Sequence, residues 1–205
     1  MNIYLLDLRL ICLSTVGLAA KLTNLDVENN RDVFDKEVAD GVNCIFFGRV
    51  RGIMEPLVLV GGDCSITGFN LNGEEKFWTV TGDNVQALEM VNWSSDSTMD
   101  LVAGSDDFSI RVYKGEELIF DINESAKITA LSRIKSNVFG FALANGTFGV
   151  YYTRKLLWKH KKQTKVTSIV GMDFTVENEM QLVVGFGDGI IEVRKHRSGT
   201  VIHSV

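Results

Sequence analysis

The sequence predicts an all-β chain: a partial, open β-propeller of about four full four-stranded antiparallel blades after an incomplete N-terminal blade. Three observations carry this. A short apolar pattern, V-x-A/S/C-I/L, opens VNCIFF at Val42, VQALEM at Val85, ITALSR at Ile128 and VTSIVG at Val166, with spacings of 43, 43 and 38 residues. Each start is followed by three further strand-like runs. No long stretch has the 3.6-residue period of a helical solenoid.

The second run of each unit is apolar and ends in a small residue: LVLVGG at Gly62, LVAG at Gly104, GFALA at Ala144 and LVVG at Gly185. The third alternates, in SITGFN from Ser65, FSIRVY from Phe108, TFGVYY from Thr147 and IIEVRK from Ile190, as expected of strands with two different faces. Asn145-Gly146 and Asp188-Gly189 supply hairpin turns at which positive φ is cheap. The fourth run is shorter and more polar: KFWTV from Lys76, LIFDI from Leu118, LLWKH from Leu156 and VIHSV at the end. Polar fourth strands suit exposed sheet edges, and apolar first strands suit a crowded axis. The blades are read as 41–84, 85–126, 127–164 and 165–205 of a single domain, with 1–40 as the incomplete blade. In that blade Leu10 to Gly17, Lys21 to Val27 and Val33 to Glu37 serve as second, third and fourth strands, and residues 1–9 stand in for the first.

Composition agrees with a folded β chain. The sequence has 205 residues, 45% hydrophobic and 23% charged, with 19 glycines and 1 proline, so Gly, Asn and Asp must make the turns. A net charge of -5 argues against a nucleic-acid binder, which needs a clustered basic footprint. Cys12, Cys44 and Cys64 form no CxxC pair and no even set, and are read as small core residues in a reducing compartment. Leu10 to Ala20 is apolar, but Asp7 precedes Arg9 where a signal peptide has a basic start, and the run is too short to span a bilayer.

No catalytic, metal or cofactor site is expected. His160, His196 and His203 stand in turns or outer strands, without a nucleophile elbow, and are read as exposed. The cysteines lie 32 and 20 residues apart, wrong for zinc. Asp106-Asp107 and Glu116-Glu117 read as hairpin tips, not glycosidase carboxylates, and Gly61-Gly62 and Gly185-Phe186-Gly187 lack the helix start of a phosphate loop. The candidate interaction patch is Arg154, Lys155, Lys159, Lys161, Lys162 and Lys165, six basic side chains in twelve residues of an acidic chain. Such a stretch suits either anionic lipid and acidic partners or a lysine-guarded edge strand. Trp93, in a loop, joins the patch as an interface candidate, whereas Trp78 and Trp158 are read as matching residues that pack between blades.

KEVADGVNC from Lys36, GGDCSITGFN from Gly61, FWTVTGDNV from Phe77, LVAGSDDFSIRVYK from Leu101, FGFALANGTFGVY from Phe139 and SGTVI from Ser198 resemble the N-terminal propeller of the Bardet-Biedl syndrome protein two family, from about Thr15 onward. The resemblance implies a subunit of the BBSome, a coat-like complex that carries membrane-protein cargo in cilia. It also implies cytoplasmic, ciliary-membrane and basal-body localisation. Implied partners are other BBSome subunits, especially the related seventh and ninth Bardet-Biedl syndrome proteins, with membrane contact indirect through an Arf-like GTPase and no small-molecule substrate. The family's propeller starts with roughly two more blades of sequence and continues into a coiled coil, an ear-like domain and further parts, so the chain is expected to be truncated at both ends and marginal alone. Some family loops are Asp-rich and suit calcium, but Val91 to Ser97 and Asp173 to Asn178 hold too few carboxylates here. The alternative function is a calcium-binding or carbohydrate-active extracellular propeller.

Overall fold

In a computed structural model, the structure describes residues 3–4, 13–18, 21–26, 29–94, 96 and 98–205, with side chains described from residue 21 onward. The described elements are twenty strands in five four-stranded antiparallel sheets, each in simple chain order with two open edges. Sheet one holds β1 (Ile3–Tyr4), β2 (Leu13–Leu18), β3 (Lys21–Asp26) and β4 (Arg31–Glu37). Sheet two holds β5 (Cys44–Gly48), β6 (Leu57–Gly61), β7 (Ser65–Phe69) and β8 (Glu75–Val80). Sheet three is β9 (Val85–Val91), β10 (Asp100–Ser105), β11 (Ser109–Lys114) and β12 (Glu117–Asn123). Sheet four is β13 (Ile128–Lys135), β14 (Val138–Leu143), β15 (Thr147–Tyr152) and β16 (Lys155–Lys161). Sheet five is β17 (Val166–Met172), β18 (Gln181–Phe186), β19 (Ile191–Lys195) and β20 (Val201–Ser204). These are the blades of a partial β-propeller. The two-residue β1, paired through Ile3 with Val16, takes the place of the first strand expected in residues 1–9. The start of the expected second strand, Leu10 to Cys12, lies outside the described residues.

The chain divides into two compact units, Met1–Gln86 and Ala87–Val205. In the first, Leu22, Phe34 and Val38 of sheet one and the turn after it pack with Ile45, Val58, Val60 and Phe69 of sheet two. In the second, period-2 alternation splits β14 between two cores. Phe139, Phe141 and Leu143 join Val102, Ile110 and Val112 of sheet three. Val138 and Ala142 join Leu182, Val184 and Phe186 of sheet five. A strand with apolar residues at every position thus serves two interfaces at once, which is why these runs lack a polar face.

Burial peaks in the middle strands. β6, β10 and β14 are buried throughout, whereas first strands such as β13 and β17 alternate with partly exposed positions. First strands, read as apolar and near a crowded axis, are thus less completely buried than the second strands. Second and third strands have a ladder partner on both edges, whereas first strands have one on a single edge. Fourth strands are the exposed ones, as expected, down to β20, exposed at all its positions.

Each fourth strand carries a bulge at one position. The register jumps after Asn24↔Phe34, Gly68↔Phe77, Val112↔Phe120, Val150↔Trp158 and Val193↔His203, skipping Val33, Lys76, Ile119, Leu157 and Ile202. A large ring thus stands just beyond the bulge in every sheet. This corrects the pairing of Trp78 with Trp158: the equivalent of Trp158 is Phe77, 2% exposed, and Trp78 points to the other face at 52% exposure. Both Asn-Gly and Asp-Gly turns behave as expected, with Gly146 at φ 80 and Gly189 at φ 91.

Candidate interaction surface

The basic segment spans the turn before β16, β16 itself and the linker to β17. Its members fall into two groups. Lys159 lies 3.6 Å from Glu124, whose side chain is almost fully buried at the end of sheet three. Lys162 pairs with Glu192 on β19 and stands over the Phe186 ring at 4.1 Å. Arg154, an exposed residue, holds its guanidinium carbon over the Phe120 ring, 4.9 Å from the ring centre. Lys155, Lys161 and Lys165 are exposed. The segment therefore joins neighbouring sheets through Lys159 and Lys162 and presents the remaining charge to solvent.

Both ionic contacts start from strand ends. Glu124 follows β12, and its carboxylate accepts a hydrogen bond from the Tyr151 hydroxyl on β15. Burial, reinforced by that bond, raises the Tyr151 pKa. Lys162 occupies the same position after β16. Burial alone would raise the Glu192 carboxyl, but hydrogen bonds from Lys162 and Arg194 outweigh it and hold its pKa below the usual range. Arg194 also donates to the Gly199 carbonyl at 2.7 Å and lies over Phe148.

Trp93 does not belong to this surface. It is 6% exposed and sits in the core of sheets three and four, 5.0 Å from the Phe120 ring. Among the described residues its indole nitrogen has no acceptor. The loop after β9 folds the ring back under its own sheet, a contact that loop placement in the sequence does not announce.

The histidines divide. His160 and His203 are exposed, as expected, whereas His196 is 5% exposed, a correction. Its Nδ1 lies 2.6 Å from the Met180 carbonyl, and burial lowers its pKa although that bond opposes the shift. Its own carbonyl accepts the Trp158 indole N–H at 2.8 Å, joining sheets four and five. His196 lines a recess of about 260 Å³ with Met180, Ile202 and the charged Glu177, Glu179, Lys195 and Arg197. The cysteines also divide: Cys44 is buried, which pushes its thiol up to about 12, Cys64 is exposed, and Cys12 lies outside the described residues.

The acidic loops are satisfied from within. Asp173 accepts the backbone N–H groups of Glu177 and Asn178, and Asp100 accepts that of Ser94. At the tip between β10 and β11, Asp107 binds Arg111 and Ser105, and Asp106 lies 2.7 Å from Lys127. Burial would raise Asp107, yet the bonds from Arg111 and Ser105 hold it below its ordinary value. Among the described residues, no three His, Cys, Asp or Glu side chains gather as metal ligands do, and no helix is long and apolar enough to cross a membrane.

Comparison with known proteins gives these surfaces a context. The family model of ciliary BBSome complex subunit 2, middle region, matches residues 87–194, and that of its N-terminal region matches residues 12–48. The BBSome complex member BBS2 of Danio rerio is 41% identical over 187 residues, covering 91% of this chain and 26% of that protein. The Homo sapiens protein of the same name is 40% identical over the same share of each, and the Caenorhabditis elegans bbs-2 protein 34%. The chain thus spans about a quarter of the length of these curated relatives. Among solved structures, BBS1N in complex with ARL6DN, soaked with lead, has a TM-score of 0.80 at 12% identity, covering 100% of this chain and 66% of that one. The computationally designed Ika8 protein has a TM-score of 0.71 at 19% identity, covering 94% and 58%. Both likenesses are of fold. With the middle-region model alone matching more than half of its residues, the chain belongs to the family of ciliary BBSome complex subunit 2.

Proposed function

We propose that this propeller segment is a non-catalytic scaffold of a BBSome-like complex, presenting sheet edges and turns to other subunits while the complex moves membrane-protein cargo to and from cilia. The observation that carries the reading is 41% identity to a BBSome complex member over 91% of the chain. Other BBSome subunits are the partners, the related seventh and ninth Bardet-Biedl syndrome proteins first among them. Contact with the ciliary membrane is indirect, through the complex and an Arf-like GTPase; the fold shared with BBS1N, solved in complex with ARL6DN, is consistent with this.

The character of the side chains supports a scaffold. The buried ionisable groups with the richest contacts, Glu124, Glu192 and Arg194, hold one sheet to the next or brace a turn. Fusing the chain to an affinity tag, expressing it in ciliated cells and identifying co-purifying proteins tests the reading. Recovery of BBSome subunits is expected; their absence, with the chain folded and soluble, would refute it.

A further inference from the structure

β16 differs from the other fourth strands in charge. It carries Lys155, Lys159 and Lys161 and no carboxylate, whereas β4, β8 and β12 each contain acids and β20 contains no Asp, Glu, Lys or Arg. Its ladder partner is β15, and it ends its sheet. The Lys162 N–H donates to the Gly146 carbonyl, so by antiparallel alternation His160 and Trp158 turn their backbone groups toward β15. Lys159 and Lys161 therefore turn theirs outward, along the open edge. Their side chains share one face, two residues apart, opposite Gly149 and Thr147. The Lys159 side chain stays 47% exposed despite its contact with Glu124, so its ammonium keeps donors for a second partner.

Lysines on an edge repel strands of neutral or basic character. The same lysines attract one kind of strand, an acidic one, because opposite charges facing each other across a ladder stabilise the pair. We propose that the open edge of β16 takes up an extended acidic segment of a partner protein as an added strand, with carboxylates at alternate positions meeting Lys159 and Lys161. Main-chain hydrogen bonds to those two residues supply affinity, and the ammonium groups select the sequence. The inference rests on the reading of the chain as a scaffold for other proteins, and it names the chemistry of one partner.

The test uses the full chain and a fluorescent synthetic peptide alternating Glu with Val, followed by anisotropy. Binding that weakens with added salt is expected, and Lys161→Glu weakens it roughly fivefold or more. Lys161→Pro removes the outward N–H at an edge position that tolerates proline, and it binds more weakly than Lys161→Thr, which lacks the charge but keeps the donor. Equal binding by the parent and Lys161→Glu overturns the proposal, as does equal binding by the proline and threonine variants. Capture of phosphatidylserine vesicles in place of the peptide, abolished by Lys161→Glu, assigns the charge to a membrane and also overturns it. If BBSome subunits co-purify with the chain while the peptide does not bind, this inference alone falls.

Discussion

The Tyr151 hydroxyl on β15 donates to the Glu124 carboxylate at the end of β12, a contact between sheets three and four that lies beside the Lys159 ammonium. The position just past a fourth strand repeatedly reaches the next sheet: Val38 does so by apolar packing, Glu124 as an acid and Lys162 as a base. Tyr151→Phe keeps the ring against Phe139 and Phe141 but leaves a buried carboxylate short of a donor. Urea unfolding should show a loss of about 1–3 kcal/mol. A loss near zero would mean that Lys159 and water satisfy Glu124 without the tyrosine.

At Gly171, β17 passes close to the backbone of β13. A Cβ there would stand 2.3 Å from the Arg133 carbonyl oxygen and 2.7 Å from the Ile134 Cα, both backbone atoms that cannot rotate away. Gly171→Ala should therefore cost about 1–3 kcal/mol, read as a lowered urea midpoint with unchanged slope. Gly189→Ala makes a contrast: there space is open and the strain comes from φ 91 alone.

Trp93 is a core residue whose indole N–H has no acceptor among the described residues. Trp93→Ala should cost about 3–5 kcal/mol. Trp93→Phe, which keeps a tilted ring contact with Phe120 and removes the indole N–H, should cost markedly less. Equal losses for the two variants would show that the indole nitrogen has a partner after all.

Acid should weaken the fold in two steps. His196 has a folded pKa below its ordinary value of about 6.5, so its contribution is complete above that pH and is lost as pH falls toward the folded value. His160, lowered by burial and by Arg194, acts in the same direction. Glu192 is also lowered, so its contribution is present above about 4.3 and disappears at more acid pH. Unfolding midpoints measured from pH 8 to pH 2 should be flat, then fall, then fall again, roughly at these boundaries. His196→Gln should flatten the first descent in part; an unchanged slope would place that titration elsewhere.

Strand order and fold class were legible because each repeat writes the same sequence of apolar, apolar, alternating and polar runs, and because Asn145-Gly146 and Asp188-Gly189 dictate their turns. What escaped was whatever depends on phase or on distant partners. Trp78 and Trp158 look equivalent in a linear reading, and only the bulge shows that Phe77 holds the matching place. His196 could not be found by phase: counting by twos from Glu192 through Arg194 sets it on a charged face, which only the structure shows to be buried. Nor could Trp93, since its burial depends on how the loop after β9 folds. The basic segment was visible as charge, but its division into Lys159 and Lys162, held by Glu124 and Glu192, and the exposed lysines depends on acids more than thirty and exactly thirty positions away, with no local signal.

The extra residue in each fourth strand has a consequence for how this chain tolerates change. Beyond Val33, Lys76, Ile119, Leu157 and Ile202 the inside and outside of the strand exchange parity, so a substitution scan along any of these strands should lose its rhythm for one beat and resume inverted. A single-residue deletion there would straighten the strand and leave each ring opposite its present ladder partner, from Phe34 against Asn24 to His203 against Val193. The spare residue is thus the one place in each fourth strand where shortening keeps the register on both sides.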